Sequence, residues 1–259
     1  MSAQITVNPW LEVDGTKHGI WCVEIAHPNK LNAMTRQMWR QLRGIFEDIQ
    51  NNPTVRCVVV QGQGDAFCAG GDISEYPAFR FAASSLAAFH EEDVWGGLQA
   101  MLNCDVPIVA NIAGVCMGAG VEIASCCDVR LVAANAQFGA PIAKLGFPMA
   151  PKELALVTAS VGQHTAKRML LEAAVFSAQD MAGAGWCAPP VAVTHLPEQV
   201  VKAAERIARL APQAARLNKQ TLRRLEQGQL LGHEAYAYAP SAEHQEGVLA
   251  FLAKRVPNF

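Results

Sequence analysis

Val106-Pro107-Ile108-Val109-Ala110-Asn111-Ile112-Ala113-Gly114-Val115-Cys116-Met117-Gly118-Ala119-Gly120-Val121-Glu122-Ile123-Ala124-Ser125-Cys126-Cys127-Asp128 is the stretch around which the chain is organised. It reads as a buried apolar strand, a turn crowded with small residues, and a helix. Gly118, Ala119 and Gly120 leave main-chain N–H groups open to close approach, because almost no side chain stands in the way. A helix starting there directs its unpaired first-turn donors and the positive end of its dipole at whatever lies in front. Glu122 falls in that first turn, which sets a carboxylate beside a pocket suited to negative charge developing on a carbonyl oxygen. A plainer role stands next to this one. Small residues before a helix also serve close packing on a strand, and an acid in a first turn is an ordinary stabiliser.

The 259 residues suffice for one large core, or one domain with a small appendage. With 51% hydrophobic and 17% charged residues, the composition is that of a compact globular protein rather than a disordered one. A net charge of −2 offers no basic footprint for nucleic acid. No run approaches the ~18 apolar residues of a membrane span. The start, Met1 to Pro9, carries neither a secretory nor a transit pattern, so a cytoplasmic protein is expected. The eight cysteines form no Cys-x-x-Cys pair and mostly sit in apolar runs, as reduced, buried small hydrophobes do. No histidine spacing suits a metal, and His90-Glu91-Glu92-Asp93 reads as the wet side of a helix.

Outward from the central stretch, strands alternate with helices. Two strands flank Asp14 to Gly19, with Leu11 and Val13 on one side and Ile20, Cys22, Val23 and Ile25 on the other. Thr35 is placed to cap a helix carrying Met38, Leu42, Ile45, Phe46 and Ile49, which Asn51-Asn52-Pro53 stops. Val55 to Gln61 is a strand of the fully buried sort. The Gly62-x-Gly64 that follows fails as a dinucleotide fingerprint, since Phe67 holds the third glycine position. What remains is a loop whose N–H groups around Ala69 to Gly71 form a second potential donor set, or an ordinary glycine turn. Ser84 to Asn103 reads as one long helix, and the loop and helix from Ser74 to Val94 as the lining of a pocket. Strands are expected at Asp128 to Ala133, Ala136 to Pro141 (ending in a turn) and Val191 to Thr194, with helices over Lys152 to Val161, Thr165 to Glu172 and Ala178 to Met181. From Pro197 the chain is helical only, and Lys219, Arg223 and Arg224 form a basic face suited to solvent or to phosphate. The class is α/β, divided into residues 1–196 and a helical region 197–259.

Phe67-Cys68-Ala69-Gly70-Gly71-Asp72-Ile73, Gly114 to Glu122, Cys127-Asp128 and Ala136-Gln137-Phe138-Gly139 together resemble the crotonase (enoyl-CoA hydratase/isomerase) superfamily. Pro28-Asn29-Lys30-Leu31-Asn32-Ala33-Met34 and the tail Glu246 to Arg255 look like that family's ends. The resemblance runs through nearly the whole chain in the family's order. It implies a spiral of stacked ββα units with a C-terminal helical trimerisation region, and a homotrimer or homohexamer. It implies a coenzyme A thioester as substrate, no permanently bound cofactor, and a place in fatty acid metabolism. By the family's pattern, the N–H groups of Gly71 and Ala119 hold the thioester oxygen. Lys30, Ala69, Asp72, Ile73 and Ser74 match positions that contact CoA. Phe251 and Lys254 match tail positions that reach a neighbouring subunit's nucleotide.

Family hydratases carry two glutamates. Glu122 occupies the first position, whereas Ile142 stands where the second would follow Pro141, and an isoleucine cannot carry a proton. Three accounts remain open. Glu122 acts alone; or Glu153, Asp93 or Glu75 replaces the missing acid; or the protein binds acyl-CoA with little chemistry. Enoyl-CoA hydration or dehydration is the leading expectation. Double-bond isomerisation and acyl-CoA hydrolysis or decarboxylation at the same oxyanion site are the alternatives.

Overall fold

The computed structural model describes residues 2–10, 12–13, 16–17 and 19–259. Ten strands occur in chain order: β1 (Gln4–Pro9), β2 (Glu12–Val13), β3 (Thr16–Lys17), β4 (Ile20–Ala26), β5 (Cys57–Gly62), β6 (Ile108–Ile112), β7 (Val115–Met117), β8 (Val129–Val132), β9 (Gln137–Gly139) and β10 (Val175–Ser177). The helices are α1 (Arg36–Asn51), α2 (Ala83–Ala88), α3 (Trp95–Asn103), α4 (Ala119–Ser125), α5 (Pro151–Val161), α6 (Gln163–Leu171), α7 (Ala178–Gly183), α8 (Leu196–Ala208), α9 (Pro212–Glu226) and α10 (Ala242–Leu252). The main sheet has the order β1-β4-β5-β6-β8, antiparallel only at β1–β4. A smaller sheet, β10-β9-β7, lies beyond it.

Both faces of the main sheet are covered, which is why its central strands are apolar except at Gln61 and Asn111, whose side chains bond each other. Val58 and Val60 of β5 and Ile108, Ala110 and Ile112 of β6 face the larger core, against the Met38, Trp39, Leu42, Phe46 and Ile49 stripe of α1. Cys57, Val59 and Val109 face the other way and meet Leu196, Val200, Ala204 and Ala208 of α8. The helical stretch after Pro197 therefore opens with a helix that completes the core. Thr35 caps α1 as expected, its hydroxyl accepting from the Met38 N–H.

Several elements differ from expectation. The strand beside β4 is Gln4–Pro9; of the expected hairpin, Leu11, Asp14, Gly15 and His18 lie outside the described residues. The small-residue turn contains a short strand, β7, because Val115 to Met117 pair with Gln137 to Gly139 in the smaller sheet. Val191 to Thr194 makes only a single bridge, Val191 with Ala133, before a 3-10 turn begins at Val193. Of the basic face of α9, Arg224 is exposed to solvent, as one of the two expected readings has it, but Lys219 and Arg223 are turned to the core. Lys219 donates to the Val106 carbonyl and pairs with Asp128, while Arg223 donates to the Leu102 carbonyl and pairs with Asp105. Arg216 reaches the carbonyls of Gln50, Asn52 and Val55. α9 thus docks through polar contacts, with no buried residue of its own.

Candidate active site

Two backbone segments meet at one cavity of about 370 Å³. The loop after β5 is tied down by the Asn32 amide, which donates to the carbonyls of Gln63 and Ala66. It then runs beside β7, where the Met117 N–H donates to the Cys68 carbonyl at 2.8 Å. The approach is close enough to demand glycine. A Cβ on Gly120 would lie 2.5 Å from the Cys68 carbonyl oxygen, and one on Gly118, whose φ is 48°, 3.6 Å from the Gly70 Cα. On either side of Gly71 the backbone is tied to Met34: Met34 N–H binds the Gly70 carbonyl and Asp72 N–H the Met34 carbonyl. Gly118 N–H is likewise taken, by the Gly139 carbonyl. The N–H groups of Gly71 and Ala119 have no acceptor among the described residues, and both residues line the cavity. For Ala119 the cause is its place as the first residue of α4.

Glu122 reaches the same cavity one turn into α4 and is 9% exposed. Burial, reinforced by the charge of Glu153, pushes its carboxyl up from 4.5 to about 8. At neutral pH it holds its proton. Ile142 lines the cavity as well, adding an apolar wall where a second acid was sought. With Phe147, Pro148 and Met149 it also borders an adjoining apolar cavity of about 560 Å³.

The far wall comes from the segment between Ser74 and Val94, as expected: Tyr76, Arg80, Phe89, His90 and Val94. The long helix expected here is continuous from α2 to α3 but widens into a π-helical turn at Phe89–Val94. That turn corrects half of the expected wet face: Glu91 and Glu92 are exposed, but His90 and Asp93 are not. Asp93 is buried at 3% exposure, held by Arg36 and Arg40 of α1, and His90 faces the cavity. The His90 Nδ1 lies 3.0 Å from Glu153 Oε1, with Glu153 almost wholly enclosed. The Arg80 guanidinium stacks on Phe147, 3.7 Å from the ring centroid, and on Tyr76. The Tyr76 hydroxyl sits where a side chain on Gly71 would point, and burial pushes its pKa above the ordinary value.

The three candidate replacement acids now separate. Asp93 is occupied by two arginines, and Glu75 accepts from the Arg36 N–H at the start of α1. Glu153 alone bears on Glu122. His90 and Tyr76 were not singled out in the sequence, because only the π turn and the 3-10 helix Ile73–Ala78 bring them to the cavity. Cys68 is fully buried, and its thiol is pushed up to about 12 by burial.

Of the expected CoA contacts, Ala69 and Ile73 line the cavity, and Ile73 is exposed. Lys30 donates to both Asp72 oxygens, at 2.9 and 2.8 Å, and to the Ser74 hydroxyl. Burial works against the Asp72 carboxylate, but the bonds from Lys30 and Ser74 outweigh it and hold its pKa below the usual range. Phe251 and Lys254 lie in and just after α10, outside the lining of this cavity, and Phe251 is 82% exposed.

An α/β core of this topology with a buried carboxyl beside free main-chain donors defines a class of folds, and comparison with known proteins gives the family. The enoyl-CoA hydratase/isomerase family matches residues 15–259, and this chain belongs to it. It is 29% identical over 243 residues to the probable enoyl-CoA hydratase echA8 of Mycobacterium bovis, covering 92% of this chain and 93% of that one. It is 27% identical over 254 residues to the mitochondrial enoyl-CoA hydratase of Pongo abelii, covering 96% and 86%. Among solved structures, an enoyl-CoA hydratase/carnithine racemase from Magnetospirillum magneticum superposes with a TM-score of 0.89 at 33% identity, covering 93% and 92%. The fold is that of the crotonase superfamily.

Proposed function

We propose that this protein is an acyl-CoA enzyme that stabilises a thioester enolate, with hydration or dehydration of an enoyl-CoA as its reaction. One observation carries this: the unpartnered N–H groups of Gly71 and Ala119 line the cavity in which Glu122 is kept protonated. A carbonyl oxygen resting between two fixed donors is stabilised as charge builds on it, and each such donor contributes on the order of 10²–10³ in rate. Glu122 then supplies a proton to the α-carbon, or removes one in reverse. Lys30, Asp72 and Ser74 offer polar groups to the CoA, and Phe251 and Lys254 serve the nucleotide of a neighbouring copy in a homotrimer or a dimer of trimers. Leu225, Leu249, Phe251 and Leu252, all more than half exposed, support such an assembly.

Ile142 favours a second reading, an acyl-CoA-binding member with little catalysis, because it removes a proton carrier from the cavity. Crotonyl-CoA hydration by the wild type and by Glu122→Gln, with CoA-ester binding measured alongside, separates the two. The enzyme reading expects wild-type turnover that falls about 10²–10⁴-fold in Glu122→Gln. Tight thioester binding with no turnover across a panel of enoyl-CoAs selects the second reading. Turnover unchanged in Glu122→Gln removes Glu122 from the chemistry.

A further inference from the structure

Adding water to an enoyl thioester moves two protons, one off the water and one onto the α-carbon. Glu122 accounts for the second, and Ile142 for neither. The other proton carriers on the cavity wall are Tyr76, Arg80, His90 and Lys144. Arginine stays charged and has no lone pair to offer. Tyr76 holds its proton more firmly than a free phenol, and the Lys144 side chain is exposed. His90 differs from all of these in being clamped by a carboxylate from another element.

We infer that His90, oriented through Nδ1 by Glu153, is the group that takes the proton from the attacking water. This deepens the proposed enolate chemistry and rests on it. With Nδ1–H donated to Glu153 Oε1 at 3.0 Å, the lone pair is left on Nε2, which has no partner among the described residues. The ring is about one-fifth exposed and edge-on to Phe89, so it is held yet reachable. The surrounding charges are already spent: Arg36 and Arg40 on Asp93, and Lys152 on Glu91, with Glu92 exposed on the same turn.

The step balances. A water O–H proton passes to Nε2 and the water oxygen bonds the β-carbon. The Cα=Cβ pair becomes a double bond between the α-carbon and the carbonyl carbon, and the carbonyl pair moves onto the thioester oxygen between the Gly71 and Ala119 N–H groups. As the carbonyl reforms, the α-carbon takes the Glu122 proton. One proton returned from the imidazolium to Glu122 restores the site. Glu153 is a positioning residue with a second effect, because its charge helps keep Glu122 protonated.

The test compares wild type, His90→Gln and Glu153→Gln in two assays across pH. These are crotonyl-CoA hydration, and exchange of the α-protons of butyryl-CoA with D₂O, which needs enolate formation but no added water. In His90→Gln the ratio of hydration to exchange is expected to fall at least about a hundredfold. In Glu153→Gln the basic limb, near pH 8 in wild type, moves to lower pH as the like charge leaves Glu122. That shift follows from charge alone. The hydration-to-exchange ratio in Glu153→Gln tests the positioning role: it falls if Nδ1 needs its carboxylate and stays if Glu153 is merely structural. It decides the matter if His90→Gln fails to fold. A ratio within threefold of wild type overturns the inference. Wild type that exchanges but never hydrates overturns it while leaving the enolate chemistry standing. Wild type that does neither overturns both.

Discussion

Glu122 is neutral in the folded protein up to about pH 8, whereas a carboxyl freed by unfolding ionises near 4.5. Between those values the native state binds one proton more than the unfolded chain. Stability therefore falls as pH rises through that window and levels off above it. Glu122→Gln abolishes this cost, so its melting temperature is expected to exceed that of wild type at pH 9 and to converge with it at pH 5. The difference at high pH is on the order of a few kcal/mol, read from thermal melts at both values. The site's glycines and Glu122 were legible in the sequence, since close backbone approach and an acid in a first turn leave local marks. His90 was not. Its partner Glu153 is 63 residues away along the chain, and no local pattern records a pairing across that separation.

At the level of elements, the π turn at Phe89–Val94 does what a regular helix does not. It buries Asp93 against α1 and brings His90 to the cavity within one six-residue span. A charge run of this kind looks solvent-facing when read at the ordinary helical period, and the wider turn breaks that period. Arg36 holds Asp93 at 2.7 Å and Arg40 at 2.6 Å. Asp93→Asn leaves two guanidinium groups short of a partner, although both retain water. The expected loss is about 1–3 kcal/mol in a urea titration, accompanied by lower turnover as the His90 turn loosens. Elsewhere the periodic signals held: the α1 stripe, the buried β5 and β6, and the helix start marked by Thr35. β7 escaped notice because three residues carry too little alternation to distinguish a strand from a turn.

Across the whole molecule, α9, α10, the link between them and the tail carry Leu225, Leu230, Leu249, Phe251, Leu252 and Val256 in solvent, with Leu230 at 96% and Val256 at 86%. Their exposure suits the contact surface that the proposed assembly requires. Sedimentation is expected to give three or six times the 27.8 kDa chain mass. Phe251→Asp paired with Leu249→Asp is expected to shift that mass toward the single chain, and an unshifted mass places the interface elsewhere. The family's order of motifs made the fold legible end to end, while the docking of α9 was not, because carbonyl acceptors have no identity in a sequence. Those acceptors have a consequence for biosynthesis. Arg216, Lys219 and Arg223 staple the segments that lead into β5 and β6, yet they emerge from a ribosome long after both strands. Until they arrive, water must occupy those carbonyls, so the nascent sheet stays unlatched at its entry points and the final helices act as its closing clasp.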